Sequence, residues 1–165
     1  MPTFATVWSN HPNVKGGGAL LDKTVYENQC AINLSAALLR SGMSMNSFTG
    51  TWSWEKNKLK YAIRAQELAN WLASPGAQLP SKTEKFTGKE AFGEVEGKKG
   101  IKGRHGIAFF QNYWGTGAQG DHIDLWNGTR LTDMLSWARI YARIGSVGLG
   151  TDYRQAQSVW FWAMP

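Results

Sequence analysis

The chain has 165 residues, 42% of them apolar, with nine tryptophans, one cysteine and a net charge of +6. That length buries one good core and is short for two, and the aromatic content excludes intrinsic disorder, so residues 1–165 are expected to form a single domain. A lone cysteine excludes an intrachain disulfide, and the positive surplus favours an anionic partner without choosing between nucleic acid, membrane surface and acidic wall polymers.

In chain order, the first dozen residues read as a loop or short extended arm anchored by Trp8 and the His11-Pro12 step. They carry neither a basic leader nor a continuous apolar core, and no later stretch approaches a membrane span, so neither a standard secretory precursor nor membrane insertion is expected. Gly16-Gly17-Gly18 lacks the Gly-Lys-Ser/Thr ending of a phosphate loop and is read as freeing the approach to Cys30. From Cys30 to Arg40, Ala31, Leu34, Ala37 and Leu38 form a helical stripe that Ser41-Gly42 ends. A second helix is predicted over Leu59–Leu72, stopping at Ser74-Pro75-Gly76. The basic segment between Gln78 and Arg104 reads as a solvated surface around a short helix near Lys89 to Glu96, since no aromatic interleaving marks a nucleic-acid groove. Gly106–Phe110 and Gly120–Trp126 read as an antiparallel pair of strands, the second closed by an Asn127-Gly128 turn. Thr132-Asp133 opens a predicted helix through Tyr141, and Ser158–Met164, apolar on both faces, suits an interior strand.

Cys30 stands where the dipole and unpaired amides of a helix start stabilise a thiolate. Free cysteine also packs as a small hydrophobe, so the nucleophilic reading depends on a base, and only His11, His105 and His122 are available. Strand alternation puts His122, Asp124 and Trp126 on one face, with Ile123 and Leu125 on the burying face. Asp121, Asp124, Asn127 and Asp133 are candidates to orient the imidazole, and spacing does not choose among them. His105 reads as a strand-entry or surface residue. No HExxH or paired-cysteine spacing and no Gly-x-Ser-x-Gly elbow is present, so no metal, cofactor or serine nucleophile is expected.

Asn28-Gln29-Cys30-Ala31, Gly106–Phe110 with Tyr113-Trp114-Gly115, and Gly120–Gly128 through Leu131-Thr132-Asp133 together closely resemble the fourth family of type VI secretion amidase effectors. The resemblance runs from about Tyr26 to Asp133, and its most specific stretch is His122–Gly128. It implies an α+β, papain-like cysteine peptidase fold, with a central helix bearing the nucleophile packed on an antiparallel sheet. It also implies a peptidoglycan hydrolase cutting stem peptides between D-glutamate and meso-diaminopimelate. The family triad falls on Cys30, His122 and Asp133, with Asp124 the second choice for the orienting acid. Asn28, Gln29 and Tyr26 are candidates for the oxyanion donor that joins the Cys30 amide, or for substrate contact. The family further implies delivery by the type VI apparatus from a Gram-negative donor without a Sec signal, action in the target's periplasm, and a cognate periplasmic immunity protein. No nucleic-acid partner is then expected. The competing class is a non-catalytic basic module that adheres to cell wall or nucleic acid, with Cys30 and His122 merely structural.

Overall fold

The computed structural model describes residues 1–55, 59–114, 120–133 and 152–165. Its elements are α1 (Phe4–Asn10), α2 (Pro12–Lys15), α3 (Cys30–Arg40), α4 (Ala65–Leu72), β1 (Glu84–Phe86), α5 (Gly88–Ala91), β2 (Gly106–Trp114), β3 (Gly120–Trp126) and β4 (Ser158–Ala163). The four strands form one antiparallel sheet in the order β1-β4-β2-β3, so β4 is interior, as its two apolar faces require, and β3 is an edge among the described residues.

Side-chain alternation divides the core between the two faces of this sheet. Ile107 and Phe109 of β2, Ile123 and Leu125 of β3 and Trp162 of β4 pack with Leu34, Ala37 and Leu38 of α3 and Leu68 and Leu72 of α4. On the opposite face Phe110, Trp126, Val159 and Phe161 pack with Phe92 and Tyr153. Each large apolar side chain so enclosed contributes about 1.5–3 kcal/mol relative to exposure. Because α3 is buried along Ala31–Leu38, its place over the sheet is fixed, and with it the position of Cys30 at its first turn.

The first dozen residues are helical and not an arm. Thr3 caps α1 by accepting the Thr6 amide, Phe4 and Val7 are buried one turn apart, and the Phe4 amide donates to the Pro165 carbonyl at 2.8 Å. Pro12 then starts α2 at a position that needs no amide donor, and Gly16 ends it with a φ of 70°. Other boundaries also moved. Ala62 bridges Trp52 in an extended segment and Leu59 is exposed, so the second long helix begins only at Ala65. The short helix of the basic segment is α5, held by a Thr87–Glu90 capping box and closing before Gly93 at φ 70°, and it is preceded by the three-residue β1. The helix predicted from Thr132-Asp133 through Tyr141 lies outside the described residues beyond its first two positions.

Gly106 opens β2 where a Cβ would stand 2.1 Å from the Trp162 carbonyl oxygen of the paired strand. Backbone, not a movable side chain, opposes it, so Gly106→Ala is expected to lose about 1–3 kcal/mol as the two strands separate locally. Thermal melting should show a clearly lowered Tm; an unchanged Tm would mean that this ladder adapts freely.

Candidate active site

Cys30 is the first residue of α3, and its side chain is half-buried. The backbone amides of Ala31, on the same turn, and of Ile123, on β3, lie near enough to its sulfur to favour the thiolate. β3 is an edge strand, so its outward amides would otherwise need water or another chain. Here the Ile123 amide serves the sulfur, and the Leu125 amide donates to Asp124 Oδ1 at 2.7 Å.

His122 meets Cys30 across this junction, with its side chain 21% exposed, enough to reach substrate and solvent. Tyr113 and Tyr153 wall the imidazole, with ring centroids 6.4 and 5.8 Å from it. Its Nε2 faces Asp124 Oδ2 at 3.8 Å, longer than a formed hydrogen bond. Burial raises the Cys30 thiol, but hydrogen bonding and charge from His122 and the two amides outweigh it and hold the thiol below its ordinary value. Burial acts on His122 in the opposite sense to its neighbours: Tyr153, Asp124 and Cys30 together push it well above the usual imidazole value. The two shifts favour a thiolate–imidazolium pair, the activated form of a cysteine nucleophile.

The four polar residues near His122 have separate occupations. Asp121 accepts the Asn112 amide at 2.9 Å, where Asn112 sits at φ 51° in a β2 irregularity. Asn127 accepts the amides of Thr129 and Arg130 and closes the turn after β3, with Gly128 at φ 96°. That turn returns Thr132 to Asp124, whose carboxylate accepts the Thr132 hydroxyl at 2.6 Å and amide at 3.1 Å. Asp124 is 3% exposed; burial would raise its carboxyl, but His11, His122 and Thr132 hold it below the ordinary value. Asp133 is half-buried and lines the same cavity as His122.

That cavity, of about 670 Å³, is bounded by Gly16–Ala19, Lys23, the Glu27–Cys30 turn, Asn33, Tyr113, Asp121, His122, Thr132 and Asp133. The glycine run therefore borders the approach to the sulfur. Asn28 is exposed on the cavity wall. Gln29 also lines it, but its amide nitrogen donates to the Tyr26 and Leu21 carbonyls at 2.7 and 3.3 Å, which ties down the preceding loop. Tyr26 is buried, and its hydroxyl accepts the Trp54 amide at 3.0 Å. His105 is exposed and stacks on Phe4 at 5.0 Å just before β2, a strand-entry residue as expected. Among the described residues no three His, Cys, Asp or Glu side chains converge as a metal site would require, and no helix is long and apolar enough to cross a membrane. Asn13 and Tyr153 carry no signal in the sequence, and His11 and Tyr113 appear there only as a candidate base and as part of the family motif, although Phe4, Val7 and Trp8 at helical spacing after Thr3 signal that α1 and α2 are ordered.

The opposed shifts at Cys30 and His122 predict how the thiol reacts. Alkylation by iodoacetamide should accelerate at a lower pH than for an ordinary cysteine, because the thiolate persists below the thiol's usual range. His122→Ala should move that rise to higher pH, since burial then acts on the thiol without its partner. Identical pH profiles for the two proteins would rule out the ion pair.

Residues 26–162 match the family model described as type VI secretion system (T6SS), amidase effector protein 4, Tae4. No curated protein sequence matches the chain. Among solved structures, the Tae4 effector of Enterobacter cloacae is similar at 18% identity and a TM-score of 0.64, covering 100% of this chain and 98% of that one. The Tae4–Tai4 effector–immunity complex from the same organism is similar at 20% identity and a TM-score of 0.62, covering 100% of this chain and 99% of that one. The Salmonella typhimurium Tae4 in complex with the Enterobacter cloacae immunity protein Tai4 gives 18% identity and a TM-score of 0.62, with full coverage of both chains. The shared fold is papain-like, with the cysteine-bearing helix on an antiparallel sheet. With most of its length matched by the family model, the chain belongs to the Tae4 family of type VI secretion amidase effectors.

Proposed function

We propose that this chain is an antibacterial cysteine amidase that hydrolyses the γ-D-glutamyl–meso-diaminopimelate bond of peptidoglycan stem peptides. What carries the reading is the pairing of Cys30 with His122 at the edge of an open cavity, in a member of an amidase effector family. The Cys30 thiolate attacks the carbonyl carbon and forms a tetrahedral adduct, and His122 delivers its proton to the departing diaminopimelate amine. The resulting thioester is cleaved by water that His122 deprotonates, returning the thiol. The Cys30 backbone amide faces the developing oxyanion, with Asn28 as the side chain best placed to join it, since Gln29 and Tyr26 are committed elsewhere.

For the orienting acid the geometry favours Asp124, which faces His122 Nε2, while family resemblance favours Asp133 on the cavity wall. A carboxylate in that role keeps the proton on Nε2 and leaves Nδ1 basic toward the thiol. Delivery by type VI secretion into the target periplasm follows from the family, and the +6 charge suits the anionic wall. A periplasmic immunity protein that covers the cavity is the expected partner, as the effector–immunity complexes of related structures suggest.

Chromatography with mass spectrometry of Gram-negative muropeptides tests the reaction. Wild-type protein should release fragments cut between D-glutamate and diaminopimelate, and Cys30→Ala should release none while keeping its fold. Asp124→Asn should lower kcat by roughly 10²- to 10⁴-fold if it orients His122, with Asp133→Asn affected far less; the reverse ranking assigns the role to Asp133. No fragments from folded wild type would favour a basic wall-binding module.

A further inference from the structure

His11 lies outside the region matched by the family model, yet its side chain is 1% exposed and ends at the carboxylate behind the catalytic histidine. It occupies the junction of α1 and α2, where its Nδ1 accepts the Asn13 amide at 3.3 Å and so caps α2. A neutral imidazole that accepts at Nδ1 carries its proton on Nε2. That nitrogen is sealed from water and stands 3.3 Å from Asp124 Oδ1, in an approach that falls short of hydrogen-bond geometry, and among the described residues it has no hydrogen-bond partner, so Asp124 is the polar group it is aimed at. The opposite oxygen, Oδ2, faces His122. Asp124 therefore stands between two imidazoles, one from the N-terminal helices and one from the reacting pair.

We propose that His11 is a positioning residue for catalysis: as a neutral donor it fixes the Asp124 carboxylate in the rotamer that presents Oδ2 to His122, and so sets the orientation of the imidazole toward Cys30. Neutrality is part of the role. Burial, with the charges of His122 and Arg40 nearby, disfavours a proton on Nδ1 against the pull of Asp124, so His11 supplies a directed N–H without a second cation beside the imidazolium. Thr132 donates to the same carboxylate, and the Asn13 side chain donates to the Thr132 hydroxyl at 3.1 Å, so the α1–α2 junction holds Asp124 by two routes.

This inference rests on the Cys30–His122 pair as the reactive centre and on Asp124, not Asp133, as the acid that orients His122, and two substitutions separate positioning from mere capping of α2. His11→Asn keeps a short acceptor for the Asn13 amide but cannot reach Asp124; His11→Gln carries an amide donor to about the place of Nε2. Two rates are read on the full chain: iodoacetamide alkylation of Cys30, which needs no peptidoglycan, and kcat with KM on muropeptides. His11→Asn is expected to melt near wild type yet to alkylate more slowly and lose about tenfold in kcat at unchanged KM, with His11→Gln restoring most of both. In an Asp124→Asn background, His11→Asn should cost nothing further, because it acts through that carboxylate. Full rates in His11→Asn, a His11→Gln no faster than His11→Asn, or losses that add to those of Asp124→Asn would each overturn the proposal. A failure of muropeptide cleavage alone, with the alkylation pattern intact, would count against the substrate and leave the positioning role standing.

Discussion

The site depends on a buried carboxylate. Removing Asp124 from water is costly unless its oxygens are paired, and the fold supplies partners from three directions. Its own strand gives the Leu125 amide, the turn after β3 brings back the Thr132 amide and hydroxyl, and the α1–α2 junction sends in His11. Oδ2, which also accepts the Thr132 amide, faces His122 Nε2 at 3.8 Å. A side chain held by so many groups has little freedom to rotate, so its negative charge is aimed before substrate arrives. The same contacts tie three parts of the chain to one point. Loss of the carboxylate would therefore loosen the turn after β3 as well as the imidazole.

The second constraint is that β3 is an edge among the described residues. An interior strand spends its amides on two neighbours, whereas β3 pairs with β2 on one side and along its other row meets only the Trp126–Leu131 bridge of the described residues. The amides of Ile123 and Leu125 on that row are turned toward the Cys30 sulfur and Asp124. Ile123 and Leu125 meanwhile anchor the strand by packing their side chains against α3 and α4. One short segment thus supplies the core with its apolar residues, the site with its side chains and the reacting atoms with its backbone, which is why an alternating pattern of seven residues carries so much of the chemistry.

What the sequence exposes follows from how local the determinants are. The stripe of α3, the alternation of β3 and the two-faced apolarity of β4 are periodic signals, and all three elements stand where those signals placed them. β1 is three residues long with no buried member, too short to carry a period. Residues of α1 and α2 look like an arm when Trp8 and His11-Pro12 are taken as loop anchors; their helical signal lies in Thr3 as a cap and in Phe4 and Val7 as a buried pair. At the site, Cys30 and His122 stand out because their residue types are rare in the chain, but spacing left four candidates to orient the imidazole. Tertiary packing gives each its own surroundings: Asp121 serves a bulge, Asn127 a turn, Asp124 lies behind the histidine and Asp133 lines the cavity wall. His11 was invisible as a partner because 113 positions separate it from Asp124 and no local pattern joins them.

The charges at the centre then explain why the two histidines behave oppositely. A thiolate and a buried carboxylate can together hold one imidazolium, and His122, touching both, takes that role. A proton on His11 would place a second cation on the far side of the same carboxylate, drawing its charge away from His122 and leaving the thiolate less well matched. Keeping His11 neutral gives Asp124 an N–H dipole without that competition. The linkage to stability has the corresponding sign. Asp124 is held below its ordinary 3.8, so its contribution is fully present above that value and is lost as pH falls through the lower folded value. In mildly acidic surroundings the carboxylate therefore stays ionised, and the array from His11 to Cys30 keeps the arrangement on which the proposed chemistry rests.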